Sequence, residues 1–299
     1  MGEVAAPQMV VGIGEILWDV LPSGRHLGGA PANFARQAHA LGAEGVIVSA
    51  VGDDPPGREI LVALGRHGLS REYVSVVSGA ATGKVAAVLD AQGIPTFTIQ
   101  ENAAWDVLPG SPALTALADR AEAVCFGTLA QRSALSRETI RGFLDATGPE
   151  CLRTCDLNLR PGFFNPEIIR ESLSRSRVLK LNEEELRALA GMLDLSGREG
   201  EILVRLREEF DLDVIALTRG SRGSRLLGRN SDSRHPGFRV EVADTVGAGD
   251  AFAAVLVLGL LANESLDAIN DRANLVSASV CRRRGAWPEV PAGRGDENG

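Results

Sequence analysis

Short, almost wholly apolar runs recur along this chain, and most are followed by a stretch with helical period. The runs are residues 10–13, 46–51, 124–127, 154–158, 178–181 and 214–218. A strand that is apolar on both faces must be covered on both, which is the situation of a parallel strand between two helical layers. Residues 31–41, 57–67, 136–145, 182–190 and 198–209 read as helices between them. The first has Pro31 near its first turn, Phe34, Ala38 and Leu41 on one face and Gly42 at its end, and the second is closed by Gly68. The alternation predicts an α/β chain with a mostly parallel sheet. A length of 299 residues with 44% hydrophobic content suits one large domain, alone or with a small appendage.

One stretch breaks the rhythm. Residues 84–89 and 94–99 are strand-like runs joined by Asp90, Ala91, Gln92 and Gly93, which is a hairpin signal. A hairpin is not a parallel crossover, so it predicts a separate small sheet, which residues 16–20 join. The tail at 291–299 is polar and glycine-rich and is expected to fray. Its Arg294, Gly295 and Asp296 match an integrin-type adhesion tripeptide, read here as chance. There is no internal repeat and no low-complexity tract.

Charge and special residues narrow the function classes. The formal net charge of -8 without a basic block argues against nucleic acid and anionic membrane as partners. Arg282, Arg283 and Arg284 are the one tight basic run and read as a solvated element end. Residues 1–10 lack the basic and apolar regions of a signal peptide. The longest apolar run, which follows Asp250, is too short for a membrane span and fits a buried helix. Cys125, Cys151, Cys155 and Cys281 match no zinc pattern and read as reduced thiols of a cytoplasmic protein. His26, His39, His67 and His235 show no metal-ligand spacing.

The sharpest feature is Asp244, Thr245, Val246, Gly247, Ala248, Gly249, Asp250, Ala251, Phe252. Small residues crowd the turn into a helix that is apolar nearly all round. Gly247 and Gly249 let backbone approach a ligand, and the first amides of the helix, with its dipole, make an anion site. A migrating phosphoryl group is such an anion. Asp250 lies in the same first turn, where the positive helix end should keep it ionised and a weak base. It could still orient a hydroxyl and accept its proton late in phosphoryl transfer. Alone, Asp250 could equally be a helix cap.

The full segment resembles the second signature of the PfkB, or ribokinase-like, carbohydrate kinases. The first signature stands at Gly28, Gly29, Ala30, Pro31, Ala32, Asn33, Phe34 and Ala35, followed by Val51, Gly52, Asp53, Asp54 and Gly57. The resemblance spans about 10–288. It implies a single kinase domain over 1–299 with a ribokinase-like three-layer core and a small β lid from insertions at about 15–28 and 83–105. Within the family the chain is most similar to bacterial fructokinases. The marks are Gly14 to Asp19, the Gly-Gly-Ala-Pro-Ala-Asn form of the first signature, Glu101 to Asp106 and Asp156 to Pro161. Ala30 and Pro31 stand where ribokinases have Lys and Gly.

Carried over by residue, the resemblance gives Asp250, Gly247, Ala248 and Gly249 the catalytic roles. Asp19, Gly28, Gly29, Asn33, Gln100, Asn102 and Arg160 would meet the sugar. Lys180, Asn182, Thr218, Gly220, Ser221, Gly223 and Asn274 would meet ATP. Asn182 and Glu185 would place Mg²⁺ through water. Asp244, with the carbonyls of Val246, Val280, Arg283 and Gly285, would hold K⁺. Taken alone, Asp19 and Asn33 suit turn and cap positions, Glu185 an exposed acidic face, and the glycines at 220 and 223 a plain hairpin. There is no Walker A lysine motif.

The leading expectation is therefore an ATP-dependent kinase for a free hexose, D-fructose first, on the same scaffold that could take 2-keto-3-deoxygluconate, ribose or a nucleoside. The lid residues Gln100, Asn102 and Trp105 should decide among them. A non-catalytic sugar-binding protein is disfavoured by the intact Gly247-Ala248-Gly249-Asp250. A nicotinamide enzyme is hinted at by Gly12-Ile13-Gly14, but no GxGxxG follows. Family members often form homodimers through the lid, and these lid residues are not diagnostic of it.

Overall fold

The computed structural model describes residues 6–21, 24–89 and 95–287. The turn at Asp90 to Gly93 and the tail with Arg294, Gly295 and Asp296 lie outside the described residues. In chain order the first elements are β1 (Met9–Ile13), β2 (Leu17–Leu21), β3 (Gly24–Gly28), α1 (Ala30–Ala40), β4 (Glu44–Gly52), α2 (Pro55–Arg66) and β5 (Val74–Val77). Then come β6 (Lys84–Leu89), β7 (Pro95–Ile99), α3 (Pro112–Arg120), β8 (Ala123–Phe126), α4 (Ala134–Asp145) and β9 (Leu152–Asp156). The rest are α5 (Pro166–Ser174), β10 (Val178–Asn182), α6 (Glu183–Met192), α7 (Glu199–Glu209), β11 (Val214–Thr218), β12 (Ser224–Gly228), β13 (Asp232–His235), α8 (Ala248–Leu261) and α9 (Leu266–Cys281).

The main sheet runs β13-β12-β11-β10-β9-β8-β1-β4-β5. It is parallel from β5 to β11 and ends in the antiparallel β12 and β13. Period-2 alternation along each strand sorts the core into two. Val11, Val48, Val124, Leu179 and Ile215 face α3 to α7, whereas Val10, Ile47, Cys125, Val178 and Ala216 face α1, α2, α8 and α9. This is a ribokinase-like α/β core of three layers. The apolar α8 needs no polar face because the sheet, α1 and α9 surround it.

A second sheet has the order β3-β2-β6-β7. The two strands read from the sequence as a hairpin are antiparallel neighbours, and β2 joins β6 in parallel as expected for residues 16–20. It touches the core through Trp18, whose indole donates to the Pro56 carbonyl at 3.1 Å, and through an Arg25–Glu59 pair at 2.8 Å.

Departures from the sequence reading have local causes. The helix read from residue 57 begins at Pro55, because Asp54 caps it by accepting from the Gly57 amide at 2.8 Å. Leu41 is 42% exposed rather than on the packed face of α1, since the helix has already ended at Ala40. Three helices were not read at all, α3, α5 and α9, the last capped by Ser265, which accepts from the Ala268 amide at 3.3 Å. In α3 and α5 the signal was present: Ser111 and Asn165 cap them directly before a proline. The segment at 220–223 is the turn between antiparallel β11 and β12, as its bare pattern suggested. The arginines at 282–284 are an exposed helix end. All four cysteines are free, and among the described residues no helix is long and apolar enough to cross a membrane.

Candidate active site

The site lies at the carboxyl ends of the parallel strands, where β1 has β4 on one side and β8 on the other and the chain order reverses. Crevices form there because the connections leave in opposite directions. The N-terminus of α8 closes the crevice. Gly247 caps it with φ 81°, a left-handed conformation, and no side chain bonds to its first amides. A Cβ on Gly247 would stand 2.7 Å from the Ala286 Cβ, so only glycine fits on both counts. The turn before it is fixed by Asp244, which accepts from the Val246 amide at 3.1 Å and the Gly285 amide at 2.9 Å.

Asp250 projects from this first turn and is only partly exposed. Asn33 of α1 donates to its Oδ2 at 2.7 Å. Beneath it, Asp156 ends β9 and Lys180 sits in register beside it on β10. Lys180 Nζ donates to both Asp156 oxygens at 2.8 Å, with the two side chains 8% and 6% exposed. A Cβ on Gly249 would come 3.2 Å from Lys180 Nζ, so the missing side chain lets the ammonium reach the helix N-terminus. Anion-seeking amides and a buried cation therefore converge.

The expectation that Asp250 is a weak base needs correction. Desolvation and the Asp156 carboxylate push its pKa up to about 6, against the opposing pull of Lys180, Asn33 and Arg160. Burial is the largest of these influences. Asp250 is mostly ionised at neutral pH, yet binds a proton far better than a surface aspartate.

On the side of the small sheet, Asp19 projects from β2 opposite His26 of β3. Burial raises its pKa to about 6, while Arg160 and His26 favour its charge. A Cβ on Gly28 would collide with the Asp19 carboxylate, and one on Gly29, φ 107°, with the Glu15 carbonyl. Arg160 is exposed and acts electrostatically on Glu15, Asp19 and Asp250 together. Its loop is set by Asn158 at φ 39° and by Glu185 Oε1, which accepts from the Leu159 amide at 3.0 Å. Asn102 is exposed with φ 53°, and the Gln100 side chain is half-buried. Trp105 is not a pocket wall. It is 1% exposed in the core, with the Arg132 guanidinium 4.1 Å above its ring and Arg132 paired to Asp106 at 2.7 Å.

The residues assigned to nucleotide sit at the far end. Thr218, Gly220 and Ser221 line the exposed end of β11, while Gly223 is packed beneath His235. Asn182 and Glu185 form a capping box: Asn182 Oδ1 accepts from the Glu185 amide at 2.9 Å and Glu185 Oε2 accepts from the Asn182 amide at 2.8 Å. Glu185 is buried, not part of an exposed acidic face, and burial and Asp156 raise its pKa. Asn274 lies on α9, packed against β12. It is 8% exposed and donates to Ser224 Oγ at 2.7 Å and to Asn270. Of the positions carried over for a cation, Asp244 and Gly285 meet directly, Val280 is buried, and Val246 and Arg283 are exposed.

Three residues without a sequence-derived role join the site. Asp156 is described above. Glu15 is 3% exposed, accepts from the Ala30 amide at 3.2 Å, and has its pKa pushed up by burial to about 7. An acid inside an apolar run was its one signal. Trp287 donates to Asn33 Oδ1 at 2.6 Å, and nothing local in the sequence marks it.

Comparison with known proteins finds sugar kinases similar over most of the chain. A fructokinase of Klebsiella pneumoniae is 31% identical over 264 residues, covering 84% of this chain and 84% of its own. A 2-dehydro-3-deoxygalactonokinase of Haloferax volcanii is 29% identical over 248 residues, covering 80% and 76%. The crystal structure of an uncharacterized sugar kinase from Pyrococcus horikoshii in complex with ATP superposes with TM-score 0.77 at 27% identity, over 93% of this chain and 94% of that one. Residues 23–292 match the family described as pfkB family carbohydrate kinase. The chain belongs to the pfkB family of carbohydrate kinases.

Proposed function

We propose that this kinase transfers the γ-phosphoryl group of ATP to a terminal hydroxyl of a free hexose, with D-fructose as the acceptor. The observation that carries the reading is Asp250, a carboxylate of raised basicity in the first turn of a helix capped by a left-handed glycine, with Lys180 beside the same turn. Asp19, Gly29 and Asn33 would hold the sugar so that its hydroxyl meets Asp250. The hydroxyl oxygen forms the new bond to phosphorus, the bond to ADP breaks, and the hydroxyl proton passes to Asp250. The amides at Gly247 to Gly249 and the Lys180 ammonium face the charge on the migrating group. The end of β11, with Thr218, Gly220 and Ser221, would seat the nucleotide.

Asn182 and Glu185 suit Mg²⁺ held through water. Glu185 keeps its backbone bonds with lone pairs to spare, and Asp156 adds negative potential beside it. The ion would neutralise phosphate charge. K⁺ beside Asp244 belongs to the same reading, supported by the Asp244–Gly285 contact. The small sheet would act as the lid of a single kinase domain. Four free cysteines suit a reducing cytoplasm.

A second acceptor class is favoured by one observation. Arg160 is exposed toward the sugar side and, among the described residues, makes no ion pair, which suits the carboxylate of a 2-keto-3-deoxy sugar acid. A coupled ADP-release assay over fructose, glucose, ribose, a nucleoside and 2-keto-3-deoxygluconate separates these. Fructose is expected to show the highest kcat/KM. A preference for the sugar acid would move the assignment to that class, and turnover of no sugar would remove the reading. In the same assay Asp19→Ala is expected to raise the sugar KM by roughly 10- to 100-fold, the effect of losing a charged hydrogen bond, with little change in the KM for ATP.

The acid limb follows from the raised carboxyls. Asp250 must be ionised to take the proton, so log kcat is expected to fall with unit slope below pH about 6. Asp19, raised to about 6 as well, must be ionised to bind sugar, so log kcat/KM should fall more steeply over the same range. A flat profile from pH 5 to 7 would contradict both roles.

A further inference from the structure

The reaction as outlined leaves Trp287 unused, although it touches the site through two short bonds in series. Its indole Nε1 donates to Asn33 Oδ1 at 2.6 Å, and Asn33 Nδ2 donates to Asp250 Oδ2 at 2.7 Å. An indole N–H can only donate, and an ionised carboxylate can only accept. An amide between them satisfies both in one orientation alone. Flipped, it would set N–H against N–H and oxygen against carboxylate. Asn33 is 4% exposed, so water cannot readily replace either partner.

Trp287 is itself held. Its ring meets His67 edge-on, with centroids 5.2 Å apart. The preceding residues are tied on both sides. Gln37 of α1 donates to the Ala286 carbonyl at 3.3 Å, Gly285 donates to Asp244 at 2.9 Å, and Ala286 fills the space that Gly247 leaves. The segment 285–287 therefore bridges the starts of α1 and α8, the two helices that carry Asn33 and Asp250.

We propose that Trp287 is a positioning residue for phosphoryl transfer: its indole N–H locks the Asn33 amide in the orientation that donates to Asp250, fixing the rotamer of the reacting carboxylate and leaving its other oxygen for the sugar hydroxyl. This rests on the reading of Asp250 as the group that takes the hydroxyl proton. A freed amide would spend part of its time turned away, so Asp250 would be less well aimed and less stabilised as an anion. The other titratable or charged groups that face Asp250 are Glu15, Cys125, Asp156, Arg160 and Lys180, and His67 faces Trp287. None of those facing Asp250 is touched by a change at 287.

The test is Trp287→Phe, which keeps an aromatic ring and removes the N–H. The kcat is expected to fall roughly 3- to 10-fold, the effect of one lost neutral hydrogen bond, with the KM for ATP unchanged. Loss of Asn33 donation disfavours the ionised carboxylate, so the acid limb of kcat should move to higher pH, which a packing role alone would not produce. If phenylalanine lowers the melting temperature enough to compromise folding, benzothienylalanine at 287, with sulfur in place of N–H and nearly the same shape, gives the same readout. Asp250→Asn runs in parallel. A wild-type kcat and acid limb in both 287 variants, with Asp250→Asn inactive, would overturn the positioning role alone. Near-normal turnover in Asp250→Asn would overturn the reading of Asp250 and the proposal with it.

Discussion

Asp250→Asn is expected to lower kcat by roughly 10²–10⁴-fold, the range for a positioned acid or base. Asparagine has the same shape and can still accept from Asn33 Nδ2, so the site keeps its geometry and loses the proton acceptor. ATP affinity, measured by calorimetry, should be little changed, because Thr218, Gly220 and Ser221 stand on the far strand end. The acid limb near pH 6 should vanish with the carboxylate. The fold gives an independent check. A carboxyl whose pKa is raised on folding destabilises the native state above that pKa, so the variant should melt higher than wild type at pH 7. Near wild-type kcat would show that another group takes the proton.

The second large effect is on stability. Asp156→Asn leaves the Lys180 ammonium buried without its counter-ion, and breaking a buried pair costs about 3–5 kcal/mol. Burial alone pushes the lysine pKa down, and in the wild type Asp156 and Glu185 more than reverse that. Without Asp156, burial pulls the lysine toward its neutral form against Glu185 and Asp250 alone, so the variant should regain stability as pH rises toward 9. Wild type should show no such gain, since its lysine stays charged throughout. Asp156→Leu combined with Lys180→Met, an apolar exchange, should recover most of the loss in urea unfolding. Equal stability of the single and double variants would show that the pair is not the cause. Activity should not return in the double variant, since the ammonium beside Gly249 is gone.

The fold was legible wherever a short-range pattern carried it. Apolar runs gave the inner parallel strands, and the break in rhythm at residues 84–99 gave the second sheet. The edge strand β13 was not legible. Asp232 and Arg234 make it look polar, and only the pairing of Asp232 with Arg225 of β12 at 2.8 Å explains how that charge is accommodated. Gly29 and Gly247 were readable as positions of close backbone approach, and each takes a positive φ that favours glycine. The basicity of Asp250 was not readable, because it comes first from burial and then from Asp156 on a distant strand, against Lys180. The surroundings of Asn274 were not legible for the same reason, since its bonds to Ser224 and Asn270 are set by the packing of α9 on β12.

The segment at 285–287 has a consequence for synthesis. All thirteen described strands precede residue 236, and so they leave the ribosome well before Gly285 does. A chain halted at residue 284 would hold the whole of both described sheets yet lack the amide that fastens Asp244 and the donor that orients Asn33. The order of the sequence thus separates assembly of the scaffold from completion of the reacting centre, and a truncated product would be compact before it could be competent.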